Sequence, residues 1–252
     1  MPPAEATDDA YPLRLTTGRL RDQWHSMTRT GLVARLFSHS PEPEVLLHKE
    51  SLQGIGDGSL VRVTSRRGSV VLKARASDEL RPGDAFIAMH WGGRFMGGVG
   101  TNALTLPAID PHSKQPELKH AAVRVEPFVA QWRGVFSTPA TPGLQTKAAA
   151  LLPRFDYAAL SLVEGQETLV RVEVASAGEP DKDAVSALEE LFGQATESTA
   201  SGRAVCACFN VAESQIRDAV AAGASLARLQ KDLKCGTNCG SCVPELRRLA
   251  LA

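Results

Sequence analysis

The amino-acid sequence predicts a mixed fold in three parts: a β-barrel of short strands, a small α/β unit and a small helical C-terminal unit. Three observations predict it. Six short apolar runs separated by turn signals fill residues 11–127. Two further strand-like runs and one amphipathic helical pattern fill 128–197. All five cysteines of the 252-residue chain lie between Cys206 and Cys242, interleaved with helical periodicity inside 198–252. Residues 1–10, MPPAEATDDA, read as a loose tail.

YPLRLTT is the first strand of the barrel, and EVLLH is the second, followed by a helical turn at KESLQ. SLVRVTS and SVVLKARAS alternate apolar with polar residues, and Arg67-Gly68 joins them as a hairpin. The run Gly54-Ile55-Gly56-Asp57-Gly58 precedes a strand rather than a helix, so it is a turn and not a dinucleotide fingerprint. Arg81-Pro82-Gly83-Asp84 reverses the chain, FIAMHW follows as a buried strand, and AAVRVEP completes the six. STPATPGLQTK (137–147) is linker-like, FDYAALSLV and TLVRVEVA are strands, and DKDAVSALEELFG is a helix with acids in its first turn. TESTASG (196–202) is a second linker.

Hydrophobic residues make up 43% of the chain and charged residues 22%, so the chain can build a core. The formal net charge is zero, which gives no support to a nucleic-acid partner. No apolar run approaches the ~20 residues of a membrane span, and the first residues lack a signal-peptide pattern. The expectation is a cytoplasmic protein with neither membrane nor nucleic acid as partner.

The cysteines form Cys206-Ala-Cys208 and Cys239-Gly-Ser-Cys242, with two helical patterns between. Ile216 and Val220 are one helical step apart. Leu226, Leu229 and Leu233 follow helical spacing behind Ser225, a natural N-cap, and Pro244 sits just inside a last helix. Two close pairs of thiolates suit an iron–sulfur cluster, a structural zinc or a pair of disulfides. The stretch CACFNVAESQIRDAVAAG…LQKDLKCGTNCGSCVPELRRL closely resembles the 2Fe–2S domain of bacterioferritin-associated ferredoxin, also found fused to nitrite and assimilatory nitrate reductases. The resemblance implies Cys206, Cys208, Cys239 and Cys242 as ligands and leaves Cys235 outside the pattern as a buried thiol.

Residues 11–35 carry Arg14, Arg19, Arg21, Arg29 and Arg35 against one acid, Asp22. With glycines and hydroxyls among them, they are either a phosphate-binding surface or an ordinary solvated arginine-rich loop. Gly92, Gly93, Gly97, Gly98 and Gly100 form a glycine-rich loop, either a cradle or simply flexible, and the six histidines show no metal-protease spacing. TTGRLRDQWHSMTRTG, HWGGRFMGGVGTNALT and DPHSKQPELKHAAVRVEP look like the C-terminal domain of molybdopterin oxidoreductases, in the nitrate reductase and formate dehydrogenase branch. The resemblance covers roughly 11–127. It implies a six-stranded double-psi β-barrel that closes over molybdopterin guanine dinucleotide, lined by Thr17, Gly18, Arg19, Gln23, Trp24, His25 and Ser26, with Asn102 and Lys119.

The two resemblances together imply the C-terminal part of an assimilatory nitrate reductase catalytic subunit. Its partners would be an N-terminal catalytic part and an electron donor: a flavin reductase subunit, a ferredoxin or a flavodoxin. In that family the N-terminal part brings a 4Fe–4S motif and a molybdenum-ligating cysteine, and residues 1–205 contain no cysteine. The chain alone is therefore expected to be inactive, with no catalytic residue of its own. Two rival expectations are a stand-alone electron-transfer module for a separate molybdopterin enzyme and a zinc-stabilised scaffold.

Overall fold

Six short, largely apolar strands bury side chains inside a ring, and closing the ring removes the exposed edges. They are β1 (Leu13–Gly18), β2 (Glu44–Leu47), β3 (Leu60–Ser65), β4 (Ser69–Ala76), β5 (Asp84–Ala88) and β6 (Ala121–Pro127). In the computed structural model, which describes residues 3–250 except 53, 118–119, 198–203, 207–210, 222, 238–239 and 241, they form a closed barrel ordered β1-β5-β2-β4-β3-β6. β1 with β5 and β2 with β4 are parallel, and the other neighbours are antiparallel. Leu15, Val45, Val63, Leu72, Ile87 and Val123 point inward and are fully buried. A one-turn helix, α1 (Ala34–Phe37), buries Phe37 edge-on against Trp91 and Phe95. The expected strand FIAMHW ends at Ala88, so Met89, His90 and Trp91 leave the barrel as loop.

The stretch from 128 to 197 forms a second sheet. Its strands are β7 (Trp132–Pro139), β8 (Tyr157–Val163), β9 (Leu169–Ser176) and β10 (Thr196–Glu197), antiparallel in the order β10-β7-β9-β8. Helices α2 (Leu144–Ala149) and α3 (Lys182–Phe192) cover it. Asp181 caps α3 by accepting from the Ala184 N–H at 3.0 Å. The sequence suggested a linker at 137–147, and the structure puts the end of β7 and most of α2 there. The strand is hidden because its inward position is Gly134, where a Cβ would meet Trp132 Cη2 at 2.7 Å and Phe136 Cε2 at 3.0 Å. Two rings fill the space that an alternating apolar side chain would have advertised.

The second sheet and the barrel meet across a buried ionic cluster. Lys73 on β4 donates to Glu42 at 2.5 Å and to Glu173 on β9 at 3.0 Å, and Arg171 donates to Glu173 at 2.7 Å. Burial alone would push Glu173 up, but Lys73 and Arg171 outweigh it and hold the carboxyl below the usual carboxylate range. Glu44 beside them is raised by burial despite its Arg75 partner.

The expected loose tail is strapped onto the barrel. Glu5 accepts from Arg66 Nη1 (2.9 Å), from both terminal nitrogens of Arg67 (2.9 and 3.0 Å) and from the Ala122 N–H (2.8 Å). Arg66 also pairs with Asp8 and lies over the Tyr11 ring. Arg67 stands foremost among the causes that hold the Glu5 carboxyl at about 2.

The C-terminal unit contains β11 (Ala204–Cys206), β12 (Val211–Ala212) and helices α4 (Glu213–Ala221), α5 (Leu226–Asp232) and α6 (Val243–Ala250). Ile216, Leu229, Leu246 and Leu249 form its core. Ser225 caps α5 as its position suggests, accepting from the Arg228 N–H at 3.4 Å. Among the described residues no helix is long and apolar enough to cross a membrane.

Candidate functional site

Parallel pairing of β1 with β5 brings their carboxyl ends out side by side. Thr17 faces Ile87, Gly18 faces Ala88, and the Met89 N–H donates to Gly18 O at 2.9 Å. The chain after β1 carries Arg19 to Ser26, and the chain after β5 carries His90 and the glycine-rich loop. That loop returns to the same point, because Thr101 Oγ1 donates to Ala88 O at 3.2 Å and the Thr101 N–H to Trp91 O at 3.1 Å. Gly100, at φ +84°, permits the return: a Cβ there would lie 2.4 Å from Trp91 O. Two segments about 80 residues apart in sequence, one ending in Gly18-Arg19 and one carrying Asn102, therefore share one end of the barrel.

The segment after β1 is bent by an unusual turn. His25, Ser26 and Met27 all have positive φ (39°, 53° and 58°), although none is glycine. Left-handed backbone costs roughly 1–2 kcal/mol per such residue. Burial of Met27, at 0% exposure, holds the turn, as does the missing side chain of Gly31, where a Cβ would lie 2.5 Å from Phe95 Cζ. The result turns Met27 inward and leaves Trp24, His25 and Ser26 on the surface. Trp24 stays 50% exposed, edge-on to the His25 ring at 4.4 Å. Concentrated backbone strain of this kind is a mark of functional segments.

The residues expected to line a cofactor divide into two groups. Arg19, Trp24, His25, Ser26 and Asn102 are exposed at the mouth. Thr17 and Gln23 are buried. The Gln23 amide holds the loop together, donating to Leu36 O at 3.2 Å and accepting from Thr30 Oγ1 at 2.5 Å. Gly18 is tight, since a Cβ would meet the Phe86 ring at 2.8 Å. Lys119 lies outside the described residues. Of the five arginines in 11–35, Arg14 pairs with Asp84 and Arg21 with Asp22. Arg19, Arg29 and Arg35 have no ion pair among the described residues, so the local positive field survives folding.

Sequence reasoning passed over His90. It is 3% exposed, and its Nε2 has no hydrogen-bond partner among the described residues. Burial, then the charges of Arg19 and His25, lower its pKa, so the ring stays neutral at neutral pH. Its only signal in sequence is its place two residues beyond a strand that pairs with the arginine-rich segment.

The second candidate site is the cysteine pocket. Cys206, at the end of β11, and Cys242, just before α6, are both buried in the core of the C-terminal unit. Cys208 and Cys239 lie outside the described residues. Cys235 is in the same core with 0% exposure; burial first, then the neighbouring Cys206 and Cys242, push its thiol up to about 12. Burial likewise raises Cys242, with Cys206 adding to it. Among the described residues no three His, Cys, Asp or Glu side chains are arranged to hold a metal ion.

Comparison with known proteins finds two family matches. Residues 13–122 match the molydopterin dinucleotide binding domain, and residues 204–250 match the BFD-like [2Fe-2S] binding domain. A nitrate reductase of Klebsiella oxytoca is 35% identical over 303 aligned positions, covering 99% of this chain and 35% of that protein. A nitrate reductase of Synechocystis sp. is 40% identical across 49% of this chain and 18% of its own length. One from Symbiobacterium thermophilum is 41% identical across 49% of this chain and 17% of its own. The chain thus spans about a third or less of the length of these relatives.

Proposed function

From a chain that carries a molydopterin dinucleotide-binding domain and a BFD-like [2Fe-2S] domain and is homologous to nitrate reductases over nearly its whole length, we propose the following role. It is the C-terminal cofactor-binding and electron-transfer portion of a molybdenum-dependent nitrate reductase of the assimilatory, cytoplasmic type. The observation that carries this reading is the convergence of the Thr17–Ser26 segment and the Asn102 loop at the paired ends of β1 and β5.

The residues present fit the dinucleotide. An anionic diphosphate wants cations. The mouth offers Arg19 free of ion pairs among the described residues, and Gly18 and Gly100 let the two segments close there, since a Cβ on either would meet Phe86 or Trp91. The neutral His90 ring, whose Nε2 has no hydrogen-bond partner among the described residues, and the half-exposed Trp24 ring suit a hydrogen-bonding heterocycle. The residues that would hold the group are Thr17, Gly18, Arg19, Trp24, His25, Ser26, Asn102 and Lys119, with Gln23 holding their loop in shape. When bound, the molybdenum centre supplies two-electron exchange with an oxyanion, and the 2Fe–2S cluster supplies one-electron transfer. The chain's own part is to bind, orient and screen. Arg19 offsets negative charge, the left-handed turn sets the direction of Trp24 to Ser26, and the buried core around Cys206 and Cys242 keeps water from sulfur.

Cys206, Cys208, Cys239 and Cys242 hold the cluster in this reading. Electrons enter from a flavin reductase subunit, a ferredoxin or a flavodoxin and pass to the catalytic part of the enzyme. The test is made on anaerobically purified chain. The expected result is about two irons per chain with a reducible visible spectrum, and electron acceptance without nitrite formation. Stoichiometric zinc without iron would establish the scaffold reading instead, and steady nitrite formation by the isolated chain would place the active site within these 252 residues.

A further inference from the structure

We propose that the second sheet is the backing of the barrel-mouth site, with Gln145 and the edge of β8 as the positioning elements for the two loops that form it. This rests on the reading of the mouth as a cofactor site and gives residues 128–197 a role in it.

β8 is the outermost strand of its sheet. An open edge presents a row of unpaired N–H and C=O groups. The glycine-rich loop occupies it as a short added strand. The Gly97 N–H donates to Ala158 O at 3.0 Å, the Leu160 N–H donates to Phe95 O at 2.9 Å, and Met96 bridges Ala159 between them. From this clamp the loop runs through Gly100 to Asn102. The same sheet reaches the other segment through α2: Gln145 Nε2 donates to Gly31 O at 3.1 Å. Gly31 in turn packs on Phe95 and Met27, the two buried anchors of the loops. The sheet cannot slide against the barrel, because Lys73, Glu42 and Glu173 pair across the junction with 12% or less of each side chain exposed. Both loops are therefore referred to one rigid surface, and the strained turn at His25–Met27 is held from behind.

The test uses the enzyme that contains the full chain, with cofactor loaded in cells. Gly97→Pro deletes the N–H that clamps the loop. Gly97→Ala keeps that N–H, and its Cβ would find nothing closer than 3.5 Å. Gln145→Leu deletes the other donor at a half-buried position, so it carries the test alone if Gly97→Pro does not fold. Amide exchange is read at 24–33 and 98–104, together with molybdenum, guanine nucleotide and iron per chain. In Gln145→Leu, exchange at 24–33 should quicken about fivefold. Gly97→Pro should do the same at 98–104. Molybdenum and guanine nucleotide should fall in both while iron in the C-terminal domain stays constant, and Gly97→Ala should restore the wild-type pattern. Folded variants with wild-type exchange in both loops overturn the backing role, as does faster exchange with full cofactor content. A wild-type enzyme without molybdenum or guanine nucleotide would instead sink the cofactor reading, and the exchange rates would still decide the mechanical claim.

Discussion

Glutamine in place of Glu5 tests whether the tail is part of the barrel. The carboxylate receives four hydrogen bonds, from Arg66, Arg67 twice and the Ala122 N–H, with only 10% of its side chain exposed. Its pKa falls from an ordinary 4.5 to about 2. At about 1.4 kcal/mol for each tenfold change in proton affinity, that sets a ceiling of roughly 3 kcal/mol. Arg66 is 38% exposed and partly screened, so the expected loss for Glu5→Gln is about 2 kcal/mol at pH 7. The sign follows from the depressed pKa. The stabilisation is complete above pH 4.5 and is lost as pH falls through 2. Urea unfolding of both proteins between pH 7 and pH 2 should give a gap that shrinks towards zero on the acid side. Amide exchange at Ala122 should quicken in the variant at pH 7. A gap that does not change with pH, or one below about 0.5 kcal/mol at pH 7, would refute the reasoning.

Other substitutions probe the remaining elements. Lys73→Met removes the cation that the buried Glu42 and Glu173 share, leaves Glu173 to Arg171 and Glu42 to Arg75, and should cost about 1.5–3 kcal/mol in denaturant unfolding. Gly100→Ala places a Cβ against Trp91 O at φ +84° and should lower both barrel stability and molybdenum content, whereas Gly92→Ala, with open space around it, should not. Serine at Cys206, Cys208, Cys239 or Cys242 should abolish or strongly alter the visible spectrum of the C-terminal domain, and Cys235→Ser should leave it largely intact. Alanine at both Arg19 and Lys119 should reduce molybdenum occupancy of the assembled enzyme, at roughly 1.5–3 kcal/mol per charge-assisted contact.

The barrel strands were legible as short apolar runs between turn signals, and the hairpin at Arg67-Gly68 and the turn at Pro82-Gly83 carry the usual residues. Ser225 announced its helix as an N-cap, and the acids at the start of DKDAVSALEELFG marked the helix that follows them. Features that depend on distant parts of the chain were not legible. Glu5 reads as a solvated acid until the β3–β4 hairpin, some 60 residues on, brings Arg66 and Arg67 beneath it. The left-handed turn is written in His-Ser-Met, without the glycine that normally marks positive φ. Its cause is the burial of Met27 against Gly31 and Phe95. His90 is one of six scattered histidines until the parallel pairing of β1 with β5 sets it beside Arg19. The cysteine motif and the arginine-rich segment were recognisable as patterns, and the fold adds Cys235 to the company of Cys206 and Cys242.

The short strand β10 has a further consequence. Thr196 and Glu197 pair with Val135 and Gly134, so the chain is pinned to the outer edge of the second sheet just before the C-terminal unit begins at Ala204. Seven peptide steps separate Glu197 from Ala204, and at full extension they reach about 25 Å. A partner confined to a sphere of that radius is present at an effective concentration of roughly tens of millimolar, whatever its bulk dilution. Under the proposed function the C-terminal unit is thereby a tethered reactant, and loss of the β10 pairing would lengthen its tether and dilute it.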